Sequence, residues 1–154
     1  MLYTKLTKQA MIIAYTAHHG QVDKTGLPYI FHPLHLAEQC EDEKTTIVAL
    51  LHDVVEDCEE YTFDKLETYG FDAEVISALK LLTHEKGVPY EEYVKKIKSN
   101  PLATKVKLLD LSHNLNETRF DENERDEKLN RMAKKREKYI KAKEYLENDS
   151  VTSS

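Results

Sequence analysis

Helical periodicity with very little turn punctuation is the feature that most limits what this chain can fold into. Only four Gly and four Pro interrupt 154 residues, so elements are long and mostly helical. Leu6, Ala10, Ile13, Ala14 and Ala17 line one face of a first helix. Gly20 stands where a left-handed stop belongs. Residues 21–30, with Gly26 and Pro28, read as a loop, and Pro33 suits the first turn of a second helix over 31–40. A third helix is predicted over 44–58; its wholly apolar stretch, 47–51, marks it as central and buried. Thr62 and Asp72 read as N-caps of two helices ending near Tyr69 and Leu82. Asn100-Pro101 opens a long helix to about 118, with Leu102, Val106, Leu109 and Leu115 inward, and a last helix covers 127–146. No strong strand alternation occurs. The pattern predicts an all-α fold, a compact orthogonal bundle of seven or eight helices. It reads as one domain over 1–147 with a polar, frayed tail over 148–154.

Composition narrows the function classes. Hydrophobic residues at 40% and charged residues at 32% suit a soluble globular chain. A net charge of −6 counts against general nucleic-acid binding, which calls for a basic surface. No run approaches the roughly 20 apolar residues of a membrane span, and residues 1–8 lead into no secretory apolar region. A cytoplasmic protein with reduced Cys40 and Cys58 is expected, although spacing alone leaves a bridge between them open.

The densest chemistry lies in Leu50-Leu51-His52-Asp53-Val54-Val55-Glu56-Asp57, four ionisable groups directly after an apolar run. Buried charge needs a partner or a metal. On a continuous helix Glu56 is i+4 from His52 and Asp57 is i+4 from Asp53, so all four gather toward one side. His52 and Asp53 offer a nitrogen and an oxygen to one cation, with Glu56 and Asp57 placed to reach its water. Two further ligands are at hand: His32, in Phe31-His32-Pro33, and Asp110, an acid inside Val106-Lys107-Leu108-Leu109-Asp110-Leu111. Mixed nitrogen and oxygen ligation suits manganese or iron better than a thiolate zinc site.

These segments carry a resemblance. Ala17-His18-His19-Gly20-Gln21 and Lys24-Thr25-Gly26-Leu27-Pro28-Tyr29-Ile30-Phe31-His32-Pro33-Leu34 resemble the opening of the HD-domain hydrolase module of RelA/SpoT homologues. His52-Asp53-Val54-Val55-Glu56-Asp57 is similar to its signature, and Val106 to Asp110 with Asn114 to its third motif. The match runs in order from about residue 3 to 146. A counterpart of the long members' synthetase domain is absent, so the chain is similar to the small stand-alone alarmone hydrolases.

The resemblance implies an HD-type bundle that removes the 3′-pyrophosphate of (p)ppGpp, giving GDP or GTP, with Mn²⁺ or another divalent metal such as Fe²⁺, Co²⁺ or Zn²⁺. It implies His32, His52, Asp53 and Asp110 as ligands, Glu56 and Asp57 as the acidic pair that orients or deprotonates the attacking water, and Asn114 near the sugar and phosphates. Lys24 and Tyr29 fall on the substrate side. Three positions depart from the family. Asp23 replaces an Arg that packs on guanine; Leu111 and Asn116 stand at usually basic positions. Three cationic positions are therefore expected to be lost, and guanine recognition to be weakened or altered. A hydrolase of another nucleotide or pyrophosphorylated metabolite, and a catalytically silent nucleotide sensor, remain alternatives.

Other groups have plainer readings. His18 is either a favourable helix-end charge or an outer support of the site. His19 reads as surface, His35 as packing, and His113 as outward or supporting. His84 and Lys86 lie in a loop that could border the pocket, Lys86 as a phosphate contact. The basic run over 131–143 is a solvated face, or it leans Lys135 or Arg136 toward lost phosphate contacts. The expected partner is a small nucleotide, with neither nucleic acid nor membrane; oligomeric state is not written in the sequence.

Overall fold

A computed structural model describes residues 1–148, so the tail expected over 148–154 lies outside the described residues except for Asn148. Among the described residues there are ten α-helices, one short 3-10 helix and no strand. A lone bridge pairs Val22 with Pro28. The all-α expectation holds, with more and shorter helices than the periodicity suggested.

Helix α1, Lys5–Ala17, starts on a Thr4–Thr7 capping box and buries Ala10, Ile13, Ala14 and Ala17. The chain turns at Gly20, φ +84°, a conformation that suits only glycine. Helix α2, Phe31–Glu38, follows the loop. Helix α3, Glu43–Leu51, is capped by Asp42, whose side chain accepts from Thr45 N. Ile47, Val48, Ala49, Leu50 and Leu51 are at most 1% exposed. The Ile, Val and Leu side chains among them each contribute about 1.5–3 kcal/mol by leaving water, and α3 is the axis around which α1, α2, α6 (Ala73–Leu82) and α8 (Pro101–Asn114) pack.

The helix expected over 44–58 is in fact two. Residues His52 and Asp53 form a turn, with Asp53 at φ −107°, ψ 0°, and α4, Val54–Asp57, resumes beyond it. Asp57 N still donates to Asp53 O at 3.0 Å, so Asp53 and Asp57 remain one turn apart. Helix α5, Phe63–Glu67, and α6 begin on Thr62 and Asp72 as read.

Helix α7, Tyr90–Lys98, was not expected. It buries only Tyr93, Val94 and Ile97, but carries Glu91 and Glu92 in its first turn and Lys95, Lys96 and Lys98 in its last. That distribution complements the helix dipole. Helix α8 stops at Asn114 rather than near 118, and Glu117–Arg119 forms the 3-10 helix. The final helix is broken at Met132 into α9, Arg125–Arg131, and α10, Ala133–Glu147. Both cysteines are free thiols. No described helix is long and apolar enough to cross a membrane.

Candidate metal centre

The ends of α2, α3 and α8 bring four side chains together. His32, His52, Asp53 and Asp110 each offer one ligand atom, and these atoms lie within 4.8 Å of one another. His32 Nε2 is 2.8 Å from Asp110 Oδ1; His52 Nε2 is 3.0 Å from Asp53 Oδ2 and 3.5 Å from Asp110 Oδ1. The turn at His52–Asp53 places both neighbours on the cluster.

Each imidazole is oriented from behind. His52 Nδ1 lies 2.7 Å from Ala49 O, so this nitrogen carries the proton and Nε2 points at the carboxylates. That Nε2 is buried and aligned for a hydrogen bond with neither acid. Burial alone would depress its pKa, but the Asp53 and Asp110 carboxylates outweigh it and hold it well above the ordinary value. His32 Nδ1 lies 2.7 Å from His113 Nδ1. Burial, then the charges of Arg119, His32 and His35, push His113 down to about 3. A neutral His113 accepts from His32 Nδ1–H, which leaves His32 Nε2 for the cluster. His35 stacks on His113 at 4.2 Å, the packing role read for it.

The carboxylates are also fixed. Asp110 Oδ2 accepts from Lys107 at 2.9 Å and Oδ1 from Asn114 Nδ2 at 2.9 Å. Tyr29 O–H donates a short hydrogen bond to Asp53 Oδ2. Burial raises the Asp53 carboxyl, yet the His52 charge prevails and holds it at about 2. His18 is buried beside Tyr29, ring centroids 4.7 Å apart, with Nδ1 on Gln21 Oε1 at 2.8 Å and Nε2 unpartnered. It supports the site wall; His19 is on the surface, as expected. Two nitrogens, one of them the buried and unbonded His52 Nε2, and two charged oxygens make a set that could hold a divalent metal.

The cluster opens into a cavity of about 340 Å³ that Glu56, Asp57, Lys24, Tyr29, Asn114 and Lys135 also line. Glu56 Oε1 accepts from His84 N at 2.8 Å, which ties the 83–88 loop to the site. Asp57 is pushed up to about 6 by burial, then by the Asp53 and Glu56 carboxylates. Lys24 Nζ donates to Asn114 O at 2.6 Å. Burial, with Arg119, Lys135 and Arg136 nearby, brings it down to about 8.

Some expected contacts fall elsewhere. Lys86 is exposed and lines no part of this cavity. Arg136 turns away to Leu115 O and Glu117. Leu111 is fully buried in the core and faces no ligand. Asn116 caps the 3-10 helix through Thr118 N. Arg119 and Lys107 were missed. Arg119 NH2 pairs with Asp23 Oδ2 at 3.0 Å, bringing a guanidinium to the position where the sequence showed only an acid. Lys107 was legible as a charge in an apolar run; Arg119, beyond a helix end, gave no signal.

Comparisons with known proteins bear on the fold and on part of the sequence. A metazoan ortholog of SpoT that hydrolyses ppGpp superposes with a TM-score of 0.67 at 21% identity, covering 96% of this chain and 89% of that one. The guanosine-3′,5′-bis(diphosphate) 3′-pyrophosphohydrolase of Vibrio cholerae is 46% identical over 56 residues, 34% of this chain and 8% of that protein. The chain is similar to SpoT-type ppGpp hydrolases in sequence and in fold. The bifunctional (p)ppGpp synthase/hydrolase SpoT of Escherichia coli is 41% identical over 70 residues, 43% of this chain and 10% of its own length. The corresponding hydrolase of Borreliella burgdorferi is 41% identical over 80 residues, 49% of this chain and 12% of that one. The chain thus spans about a tenth of the length of the curated relatives it matches. No protein-family model matches it.

Proposed function

We propose that the chain is a metal-dependent phosphohydrolase, acting in the cytoplasm, that removes the 3′-pyrophosphate of ppGpp or pppGpp to give GDP or GTP. The observation that carries this reading is the four-ligand cluster in a cavity that Glu56, Asp57, Lys24 and Lys135 also line. A cavity that carboxylates and cations line together, with Lys107 bonded to Asp110 itself, suits a polyanionic substrate.

His32, His52, Asp53 and Asp110 would hold the cation, with Mn²⁺ the first choice. When bound, it lowers the pKa of the attacking water and polarises a phosphoryl oxygen. Asp57, with its raised pKa, accepts a proton near neutral pH, and Glu56, pinned by His84 N, orients the water. The water oxygen bonds to phosphorus as the bond to the sugar 3′ oxygen breaks. One water proton passes to the carboxylate, which returns it to the departing 3′ oxygen; the sugar leaves with a free 3′ hydroxyl, and the other proton stays on the oxygen now bonded to phosphorus. Lys24, Lys135 and Asn114 receive phosphate oxygens, and Tyr29 keeps Asp53 in place.

The test is a panel of nucleotides incubated with Mn²⁺-loaded protein, with products separated by chromatography. GDP and pyrophosphate from ppGpp are expected. Metal content of wild type and His52→Ala is measured alongside; equal occupancy would remove His52 from the site.

A further inference from the structure

Asp23 and Arg119 are the two residues that line both the metal-side cavity and a second cavity of about 320 Å³, whose walls include Leu27, Phe31, Leu34 and His35. A ligand anchored at the four-ligand cluster and long enough to enter the second cavity crosses this pair. Asp23 is fully engaged. Its Oδ1 accepts from Thr25 N at 2.8 Å, Thr25 Oγ1 at 2.6 Å and Leu27 N at 3.1 Å, and its Oδ2 from Arg119. It has little capacity left to read a ligand. Arg119 spends one N–H on Asp23 and another on His113 O at 3.0 Å; its remaining N–H groups have no protein partner among the described residues. Its side chain is 12% exposed, so the guanidinium is clamped at two points and still reachable.

The surroundings indicate what would use it. Leu27 and Phe31, 52% and 51% exposed, flank the second cavity with open apolar surface. A guanidinium beside such surface favours a flat aromatic group, which stacks on the cation and covers the apolar side chains. On the metal side, Lys24 donates to Asn114 O with no carboxylate bonded to it, and the charges of Arg119, Lys135 and Arg136 outweigh that of Asp110 on it, an excess of positive charge that an anion relieves.

We propose that Arg119, oriented by Asp23, is a specificity-determining contact for the nucleoside part of the substrate, the part remote from the four-ligand cluster. This rests on the nucleotide hydrolase reading above and adds the residue that grips the base. Asp23 is a positioning residue that acts through Arg119.

Two measurements test it: kcat and KM for ppGpp with Mn²⁺-loaded protein, and calorimetric titration of GDP into metal-free protein. In Arg119→Gln, KM and the GDP Kd are expected to rise about two- to thirtyfold, the loss of a guanidinium stacked on an aromatic ring, with kcat changed less than about threefold. Arg119→Lys recovers only part, because it lacks the two-point clamp. Asp23→Asn weakens binding less, and adding it to Arg119→Gln changes nothing further. Unchanged KM and Kd in Arg119→Gln, with only a lower melting temperature, would reduce the pair to a structural salt bridge and overturn the proposal. So would a wild type that does not bind GDP. Should wild type bind GDP but turn over no nucleotide, the hydrolase reading fails, while loss of GDP binding in Arg119→Gln still upholds the contact.

Discussion

An aspartate at position 23 holds its own loop before anything else, because three of its four hydrogen bonds are to Thr25 and Leu27. Read from sequence, Asp23→Arg restores a missing base-stacking cation and lowers KM for ppGpp. The geometry reverses that expectation. The new guanidinium would face Arg119 and leave the Thr25 and Leu27 N–H groups without their acceptor. KM is expected to rise and stability to fall by about 2 kcal/mol, read by steady-state kinetics and thermal melts; a lower KM would restore the reading from sequence. Glu56→Gln is a milder change. Its side-chain oxygen still accepts from His84 N, so the loop stays in place and the metal is retained. Turnover is expected to fall by roughly 10²–10⁴, the range for a positioned acid–base group. Near wild-type kcat on ppGpp would show that the water is activated elsewhere.

Among the elements, the 21–29 loop carries the most testable chemistry. It puts Lys24 against Asn114 O, with Lys128 Nζ on the Lys24 carbonyl at 3.3 Å and Arg119, Lys135, Arg136 and Asp110 around it. With its pKa near 8, burial being the largest cause, Lys24 is charged below that pH and neutral above it. Affinity of the free protein for GDP should hold below about pH 8 and fall as pH rises beyond it. Lys24→Arg should remove the fall, since arginine stays charged; an identical profile in both proteins would place the titration elsewhere. Legibility from sequence follows the same division by distance along the chain. The caps at Thr62, Asp72 and Asn100 and the buried face of α1 are local patterns, and they were readable. His52, Asp53 and Asp110 stood out as charges in apolar runs. The turn at His52–Asp53 did not, because an apolar run reads the same whether its helix ends at Leu51 or continues. Helix α7 hid because it buries so little. The Asp23–Arg119 and His32–His113 contacts join residues 96 and 81 positions apart, and no local pattern encodes such pairs.

For the whole molecule, the same cluster that would serve chemistry sets a conflict in the core. Asp53, Asp110, His52, His32 and Lys107 sit at the junction of the helices that also bury Val48, Leu50 and Leu51. Desolvating that many charges is costly, and only partly offset by pairing among themselves. A divalent cation that binds the folded state satisfies the two carboxylates and His52 Nε2 together, so it should stabilise the fold by mass action. At a free Mn²⁺ concentration of about 100 times Kd the gain is about 2.7 kcal/mol. For a chain of this length that raises Tm by roughly 5–10 °C. His52→Ala and Asp110→Asn should each lose most of the shift, since the first removes a ligand nitrogen and the second a ligand's negative charge. Lys86→Ala, far from the cluster and exposed, should keep it. An equal rise in all four proteins would mean that manganese stabilises the chain through some other site. A rise confined to wild type and Lys86→Ala would tie fold stability to His52 and Asp110, two of the side chains assigned to the metal.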